Sequence, residues 1–265
     1  MRRQLSCATM IRFAPAPAAL PPGQRIYAVG DVHGCAGMLD RLHGLIAGDL
    51  RARPVEHATL IHLGDLIDRG PDSAGVVARA IGGPAAPAGQ ALHRITLLGN
   101  HERMMLDALD GRDPGATGHW FVNGGTASLQ SWQADPAEPR DWPRLIPAAH
   151  QDFLRGLPLI HQAGGYVFVH AGLRPGVDVA GQAADDLIWI RGPFLSFPGV
   201  FGAPGRPVVV VHGHTPQPEP VLRHNRIGID TGAVMGGRLT CAVLEEDHVG
   251  FLQVRPTLHA DMTDC

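Results

Sequence analysis

The sequence predicts an α/β fold built on a β-α-β-α-β core with a mainly parallel sheet. Two observations carry that prediction. Short apolar runs repeatedly stop at a glycine followed by a polar side chain, as in "AVGDVHG" (28–34), "TLIHLGD" (59–65) and "HRITLLGNHE" (93–102). Between them lie segments with apolar residues at helical spacing, "MLDRLHGLIAGDL" (38–50) and "DSAGVVARAIGG" (72–83). Alternating strands and helices favour parallel pairing through right-handed crossovers.

The elements follow in order. "RIYAVG" (25–30), "TLIHLGD" and "HRITLLGNHE" read as three strands. The third feeds a helix through "RMMLDAL". Residues 103–160 carry helical pieces, Trp120, Trp132, Trp142 and Pro-rich breaks, and read as a helical excursion beside the sheet. Strands return at "YVFVHAG" (166–172), "PVVVVHGHT" (207–215) and "RIGIDTGA" (226–233), and "LTCAVLEEDHVGFLQV" (239–254) reads as a closing hairpin. Residues 1–24, rich in Pro and Ala, read as a loose arm without an export signal. Residues 25–255 are expected to form one domain and 256–265 a tail.

Composition narrows the chemistry. The chain has 265 residues, 45% hydrophobic and 18% charged, enough for a sizeable core. No apolar run is long enough to span a bilayer, so no membrane partner is expected and a cytoplasmic location is the default. A net charge of -3 gives no general basic surface for nucleic acid. Every basic residue is arginine, which removes Schiff-base catalysis and the lysine of a phosphate-binding P-loop. The four cysteines show no C-x-x-C spacing for a structural zinc site. Histidine, the commonest metal ligand, occurs 15 times.

In parallel sheets ligands bind beyond the carboxyl ends of the strands. Five strand-to-loop junctions place polar groups there: Asp31 and His33, Asp65, Asn100 and His101, His170, and His214, each beside a glycine. Asp31, Asp65, Asn100, His33, His170 and His214 form a mixed oxygen and nitrogen set suited to Zn²⁺, Mn²⁺ or Fe. Six such groups exceed what one ion with an open position needs, and fit two ions about 3.5–4 Å apart that share a carboxylate. His62 reads as a hydrogen-bonded core histidine and His212 as a structural or rim residue. Asp230 and Thr231 are candidates to orient a ligand histidine. Trp120 in "HWFVNGGT" fits either the substrate mouth or ordinary core.

"GDVHG", "GDLIDRG", "GNHE", "HAG" and "HGHT" resemble the signature blocks of calcineurin-like metallophosphoesterases, more specifically the phosphoprotein phosphatase branch. "HERMMLDAL", "HWFVNGGT", "DDLIWIR" and "IDTGAV" extend the similarity to the bacteriophage lambda-type and bacterial serine/threonine protein phosphatases, over about residues 25–245. The resemblance implies a β-sandwich flanked by helices. It implies Asp31, His33 and Asp65 on a first divalent metal, and Asp65, Asn100, His170 and His214 on a second, with Mn²⁺ favoured and Fe or Zn as alternatives. Pro216 stands where many relatives carry a further ligand histidine, which leaves the first metal one protein ligand short. Arg69 and Arg191, with Asn100, would hold the substrate phosphate. A metal-bridging hydroxide would attack phosphorus in line, and His101, held by Asp68, would protonate the leaving group. The expected substrate is a phosphoprotein or a small phosphoester. A dinucleoside polyphosphate such as diadenosine tetraphosphate is the alternative, and a binding module without catalysis is a third reading, disfavoured by the intact ligand set. Physiological target and oligomeric state are not legible in the sequence.

Overall fold

The computed structural model describes residues 11–257. In chain order the elements are β1 (Ala14–Pro15), β2 (Gln24–Val29), α1 (Ala36–Ala52), β3 (His57–His62), α2 (Ser73–Gly82), β4 (Leu92–Thr96) and α3 (Asn100–Asp110). Next come α4 (Ala116–Val122), α5 (Gly125–Ser131), α6 (Trp142–Leu145), α7 (Ala148–Arg155), β5 (Ile160–Ala163), β6 (Tyr166–Val169), α8 (Ala184–Trp189) and α9 (Gly192–Leu195). The chain then runs through β7 (Phe201–Ala203), β8 (Arg206–His212), β9 (Val221–Leu222), β10 (Arg226–Gly228), β11 (Leu239–Glu245) and β12 (His248–Val254).

The strands form two six-stranded sheets. The first runs β1-β12-β11-β2-β3-β4; β2, β3 and β4 are parallel, and the closing hairpin β11–β12 adds antiparallel strands beside β2. The second runs β5-β6-β8-β10-β9, with β7 paired to β8. The mainly parallel sheet expected from the core therefore holds for β2–β4, and the sheet as a whole is mixed.

Side-chain alternation explains the layering. On β2, Ile26 and Ala28 face the space between the sheets, where they meet Ile61, Leu97, Phe168, Val211 and Ile229. Tyr27 and Val29 point the other way, into a cluster with Leu39, Leu42 and Ile46 of α1 and Val76 and Val77 of α2. On β8, Val209 and Val211 face inward while Val210 packs under Leu187, Ile188 and Phe194 of the α8–α9 segment. A strand buried on both faces reads as a continuous apolar run, as "VVVV" does. Each buried Val, Leu or Ile contributes about 1.5–3 kcal/mol, so these layers fix the strand ends that carry the polar loops.

Part of the expected loose arm is docked. Ala14 and Pro15 pair with Val249 and His248 at the sheet edge, where proline's missing donor is tolerated. Leu20 is buried between the sheets, Ala19 O accepts from Gly165 N, and Ala18 O accepts from Tyr166 Oη. Proline-rich chain keeps its carbonyl acceptors, and the partners lie too far along the sequence to be read locally. Residues 1–10 of the arm and 258–265 of the tail lie outside the described residues.

Candidate active site

The five junctions converge at the carboxyl-terminal rims of the two sheets. Asp31 and His33 follow β2, Asp65 and Asp68 follow β3, and Asn100 and His101 open α3 after β4. His170 follows β6 and His214 follows β8. All of these are buried, between 0% and 4% exposed. Two side-chain groups able to hold a metal share Asp65: His33–Asp65–His101 and Asp65–His170–His214.

Asp65 faces both groups with different oxygens. Its Oδ2 lies 3.6 Å from His33 Nε2 and 3.9 Å from His101 Nε2, and its Oδ1 lies 3.3 Å from His170 Nε2. Asn100 Oδ1 lies 3.0 Å from His170 Nε2 and 2.9 Å from His214 Nδ1. Asp31 accepts from the His214 N–H with both oxygens at 3.1 Å. His33 Nδ1 and His170 Nδ1 are tied to the carbonyls of Ile67 and Leu63 at 2.8 and 2.9 Å, so each ring turns Nε2 to the centre. The donor set fits two dications: a carboxylate with one oxygen for each group, imidazoles oriented by backbone carbonyls, and a second buried carboxylate, Asp31.

The electrostatics are those of a site short of positive charge. Burial, then Asp230 and Asp65, push the Asp31 carboxyl well above the usual range. Burial opposes a charged His170, but Asp65, Asp31 and Glu102 lift it to about 10. Burial drives His33 and His214 down to about 3, which keeps both rings neutral, the form that ligates a metal.

The backbone is strained here. His33, Asp65, Asp68, Arg69 and His214 make up five of the seven non-glycine residues with left-handed φ among the described residues. Such conformations persist where the surroundings over-determine them, and they cluster at functional sites. Two neighbouring glycines are obligatory on steric grounds. A Cβ on Gly99 would collide with Asp65 Oδ1, and one on Gly213 with Asp31 Oδ1.

His101 Nδ1 lies 2.7 Å from Asp68 Oδ2. Asp68 is fully buried, which raises its carboxyl, and the donors around it oppose that shift. Trp120 Nε1 donates to both its oxygens at 3.0 and 2.9 Å, and Ser128 Oγ donates to Oδ1 at 2.6 Å. The Asp68 N–H donates to Ser73 Oγ and Ser128 Oγ. Arg69 Nη1 donates to His33 Nε2 at 2.9 Å, and Arg191 Nε donates to His214 Nε2 at 3.0 Å. The two exposed guanidinia thus flank the centre, one beside each side-chain group.

The structure brings Asp31, His33, Asp65, Asp68, Arg69, Asn100, His101, His170, Arg191 and His214 together at this rim. Several others are not apparent from spacing. Glu102, fully buried, accepts from the N–H groups of Asp65, Leu66, Ile67 and Gly99. Burial and Asp65 raise it to about 7 despite those donors. The Gly-x-x-Glu of a capping box was its only local signal. Trp120 and Ser128 come from the helical excursion, and only the fold brings them to Asp68. Asp230 accepts from the Gly232 N–H and Thr231 Oγ1 donates to Arg238 O, and among the described residues neither bonds to a histidine; Asp230 acts on Asp31 by charge instead. His62 is a core histidine against His43 Nε2 at 3.2 Å, and His212 is buried against Phe194.

The family model for calcineurin-like phosphoesterases matches residues 24–249. The chain is 30% identical over 237 residues to serine/threonine-protein phosphatase 1 of Salmonella typhimurium, covering 84% of this chain and 93% of that protein. It is 34% identical over 151 residues to a symmetrical bis(5'-nucleosyl)-tetraphosphatase of Methylococcus capsulatus, spanning 57% of this chain and 44% of that one. A solved structure described as a putative diadenosine tetraphosphatase superposes with a TM-score of 0.60 at 24% identity, over 93% of this chain and all of that one. No helix among the described residues is long and apolar enough to cross a membrane. Two facing sheets, a shared carboxylate at their common rim and a family match across nearly the whole chain agree: the protein belongs to the calcineurin-like phosphoesterases.

Proposed function

We propose that the protein is a binuclear-metal phosphoester hydrolase that removes phosphate from phosphoserine and phosphothreonine in proteins. The observation that carries this reading is the His101–Asp68 pair at 2.7 Å, with His101 Nε2 turned toward the carboxylate shared by the two side-chain groups. A serine or threonine alkoxide is a poor leaving group, and a fixed proton donor is what its departure requires.

Asp31, His33 and Asp65 would hold one divalent cation, and Asp65, Asn100, His170 and His214 the other. Together these ions, Mn²⁺ being the first to test, would activate water and draw in the phosphate's negative charge. Arg69 and Arg191 approach from opposite sides and hold the phosphoryl oxygens with planar N–H forks. Asp68 accepts the Nδ1–H of His101, which turns Nε2–H to the leaving oxygen and supports the imidazolium until that proton is given up. Trp120 and Ser128 hold Asp68 so that it orients His101 without moving.

The relative named a serine/threonine phosphatase spans almost the full length of both chains, whereas the tetraphosphatase of Methylococcus capsulatus is matched over less than half its own length. Length of match alone does not separate the two substrates, since a bis(5'-nucleosyl)-tetraphosphatase of Anoxybacillus flavithermus is matched over 87% of its own length at 28% identity. The fixed proton donor His101, which a serine or threonine leaving group needs, favours the phosphoprotein. Rates on a phosphoserine peptide and on diadenosine tetraphosphate, both with Mn²⁺, test the reading. We expect kcat/KM to be higher for the peptide; a higher value for the dinucleotide overturns the substrate assignment, and inertness toward both overturns the enzyme.

A further inference from the structure

Asp68 and Arg69 are consecutive, and both stand in the left-handed region, at φ 72° and 69°. Such backbone persists only where the surroundings over-determine it. Here one corner of the helical excursion does so. The Asp68 N–H donates to Ser128 Oγ at 2.8 Å, and the next N–H, that of Arg69, donates to Gly124 O at 3.2 Å. The Asp68 carboxylate is gripped from the same corner, by Trp120 Nε1 at 3.0 and 2.9 Å and by Ser128 Oγ at 2.6 Å. Trp120 belongs to α4 and Ser128 to α5, and only Asn123 and Gly124 stand between the two helices.

Side chains are excluded from this corner for two separate reasons. Gly124 has φ 100°, and a Cβ there would lie 2.9 Å from Arg69 Cγ and 3.1 Å from its N. A Cβ on Gly125 would lie 2.5 Å from Cδ2 and Cε2 of the Trp120 indole. The first glycine lets the backbone reach the arginine. The second lets the indole rest on the start of α5 with Nε1 against Asp68.

We propose that Gly124 and Gly125 are positioning residues for the reaction: from one turn they set the proton donor His101, through Trp120 and Asp68, and the phosphate-holding Arg69. This role rests on the hydrolase and the acid proposed above. The proton must reach the leaving oxygen while the phosphoryl oxygens are held, so the two groups have to be aligned with each other. A shared turn aligns them, because Asp68 and Arg69 are adjacent in the chain and their successive N–H groups are both held by the 124–128 segment. Neither glycine touches a reacting atom; each acts through the side chain it leaves room for.

Gly125→Ala and Gly124→Ala are compared with wild type and His101→Asn on a phosphoserine peptide and on para-nitrophenyl phosphate, with Mn²⁺ and below every variant's melting temperature. Gly125→Ala drives the indole off Asp68. We expect kcat on the peptide to fall about tenfold, and the loss on the aryl ester, whose leaving group needs no proton, to be far smaller. Gly124→Ala pushes on Arg69, so KM should rise several-fold on both substrates, and inhibition by inorganic phosphate should weaken in step. A corner that serves only the fold would lower the melting temperature and leave the ratio of the two rates and the phosphate inhibition as in wild type, which overturns the proposal. Equal losses of Gly125→Ala on the two substrates overturn it as well. Should a glycine variant fail to fold by circular dichroism, Ser128→Ala, which adds no volume, decides: it should reproduce the peptide-selective loss, and equal losses overturn the corner. His101→Asn keeps two failures apart. Equal losses in that variant overturn the acid role itself, whereas a peptide-selective loss there and none in Gly125→Ala overturns the corner alone.

Discussion

The rims of the two sheets meet at Asp65, yet they are built on different terms. On the first sheet, Glu102 gathers four backbone N–H groups around the Asp65 loop, and Asp68 is gripped by Trp120, Ser128 and His101. Four of the left-handed side-chain-bearing residues, His33, Asp65, Asp68 and Arg69, lie on this rim. On the second sheet only His214 is strained in this way. His170 rests on one carbonyl, and Arg191 is an exposed residue leading into a four-residue helix. The rigid side is the one proposed to move a proton. Proton transfer tolerates little error, since misplacement by about 1 Å costs roughly 10²-fold in rate. The looser side is proposed to grip phosphate, which arrives, changes shape and leaves.

Removing the group the two rims share should have the largest effect. Asp65→Asn keeps the shape and removes the charge that faces both side-chain groups. Metal-ion stabilisation is worth several kcal/mol, so activity should fall by roughly 10³-fold or more, with bound Mn²⁺ dropping from two ions per chain by elemental analysis. Retention of two ions would show that the rims hold metal independently.

A change confined to the rigid rim should be next. His101→Asn is expected to lower kcat on alkyl phosphates by about 10²–10⁴-fold while leaving metal content unchanged. With an aryl phosphate, whose leaving group needs no proton, the loss should be far smaller. Equal losses on both substrates would remove His101 from the acid role.

Smaller effects separate the supports. Trp120→Phe takes one donor from a buried carboxylate, worth about 1.5–3 kcal/mol, and should lower both thermal stability and kcat on alkyl phosphates. Arg191→Ala on the second rim should lower kcat/KM about tenfold with the melting temperature unchanged, because an exposed side chain supports little of the fold. If Arg191→Ala destabilises as much as Trp120→Phe, the contrast between rims fails.

What the sequence disclosed follows the same division. Strands that end at Gly-Asp or Gly-Asn-His carry their proposed ligands within two or three residues of an apolar run, so Asp31, His33, Asp65, Asn100, His170 and His214 were legible from local pattern as candidates. Their supports were not. Ser128 lies 60 residues from Asp68 and Trp120 lies 52, with several helices between. Only packing of the helical excursion against α2 and α3 brings them together. The edge strand Ala14–Pro15 was missed for a related reason, because its partner is the last strand of the fold. Left-handed φ at Asp68 or Arg69 has no sequence signal at all, since neither residue type demands it.

The smallest expected effect compares one buried histidine in each sheet. His62, at the end of β3, is pushed to about 3 by burial and then by His43; His43 is itself lowered to about 4 by burial. His212, at the end of β8, is lowered to about 4 by burial. Unfolded imidazole titrates near 6.5. Between that value and the folded one the unfolded chain binds more protons, so stability is full above about pH 6.5 and falls as pH drops. At pH 4.5 each such imidazole withdraws about 2–3 kcal/mol. His62→Gln and His212→Gln should each shrink the fall in urea midpoint between pH 7 and 4.5. They should differ at pH 7: His62 has a partner at each ring nitrogen, His43 Nε2 and Thr96 Oγ1, whereas His212 has Gly213 O at Nδ1 and none at Nε2 among the described residues. Losing His62 therefore costs more stability at neutral pH than losing His212. An acid limb unchanged in both variants would assign the pH dependence to Asp65 instead: burial opposes its charge, but the facing His170, His101 and His33 hold the carboxylate well below the usual range.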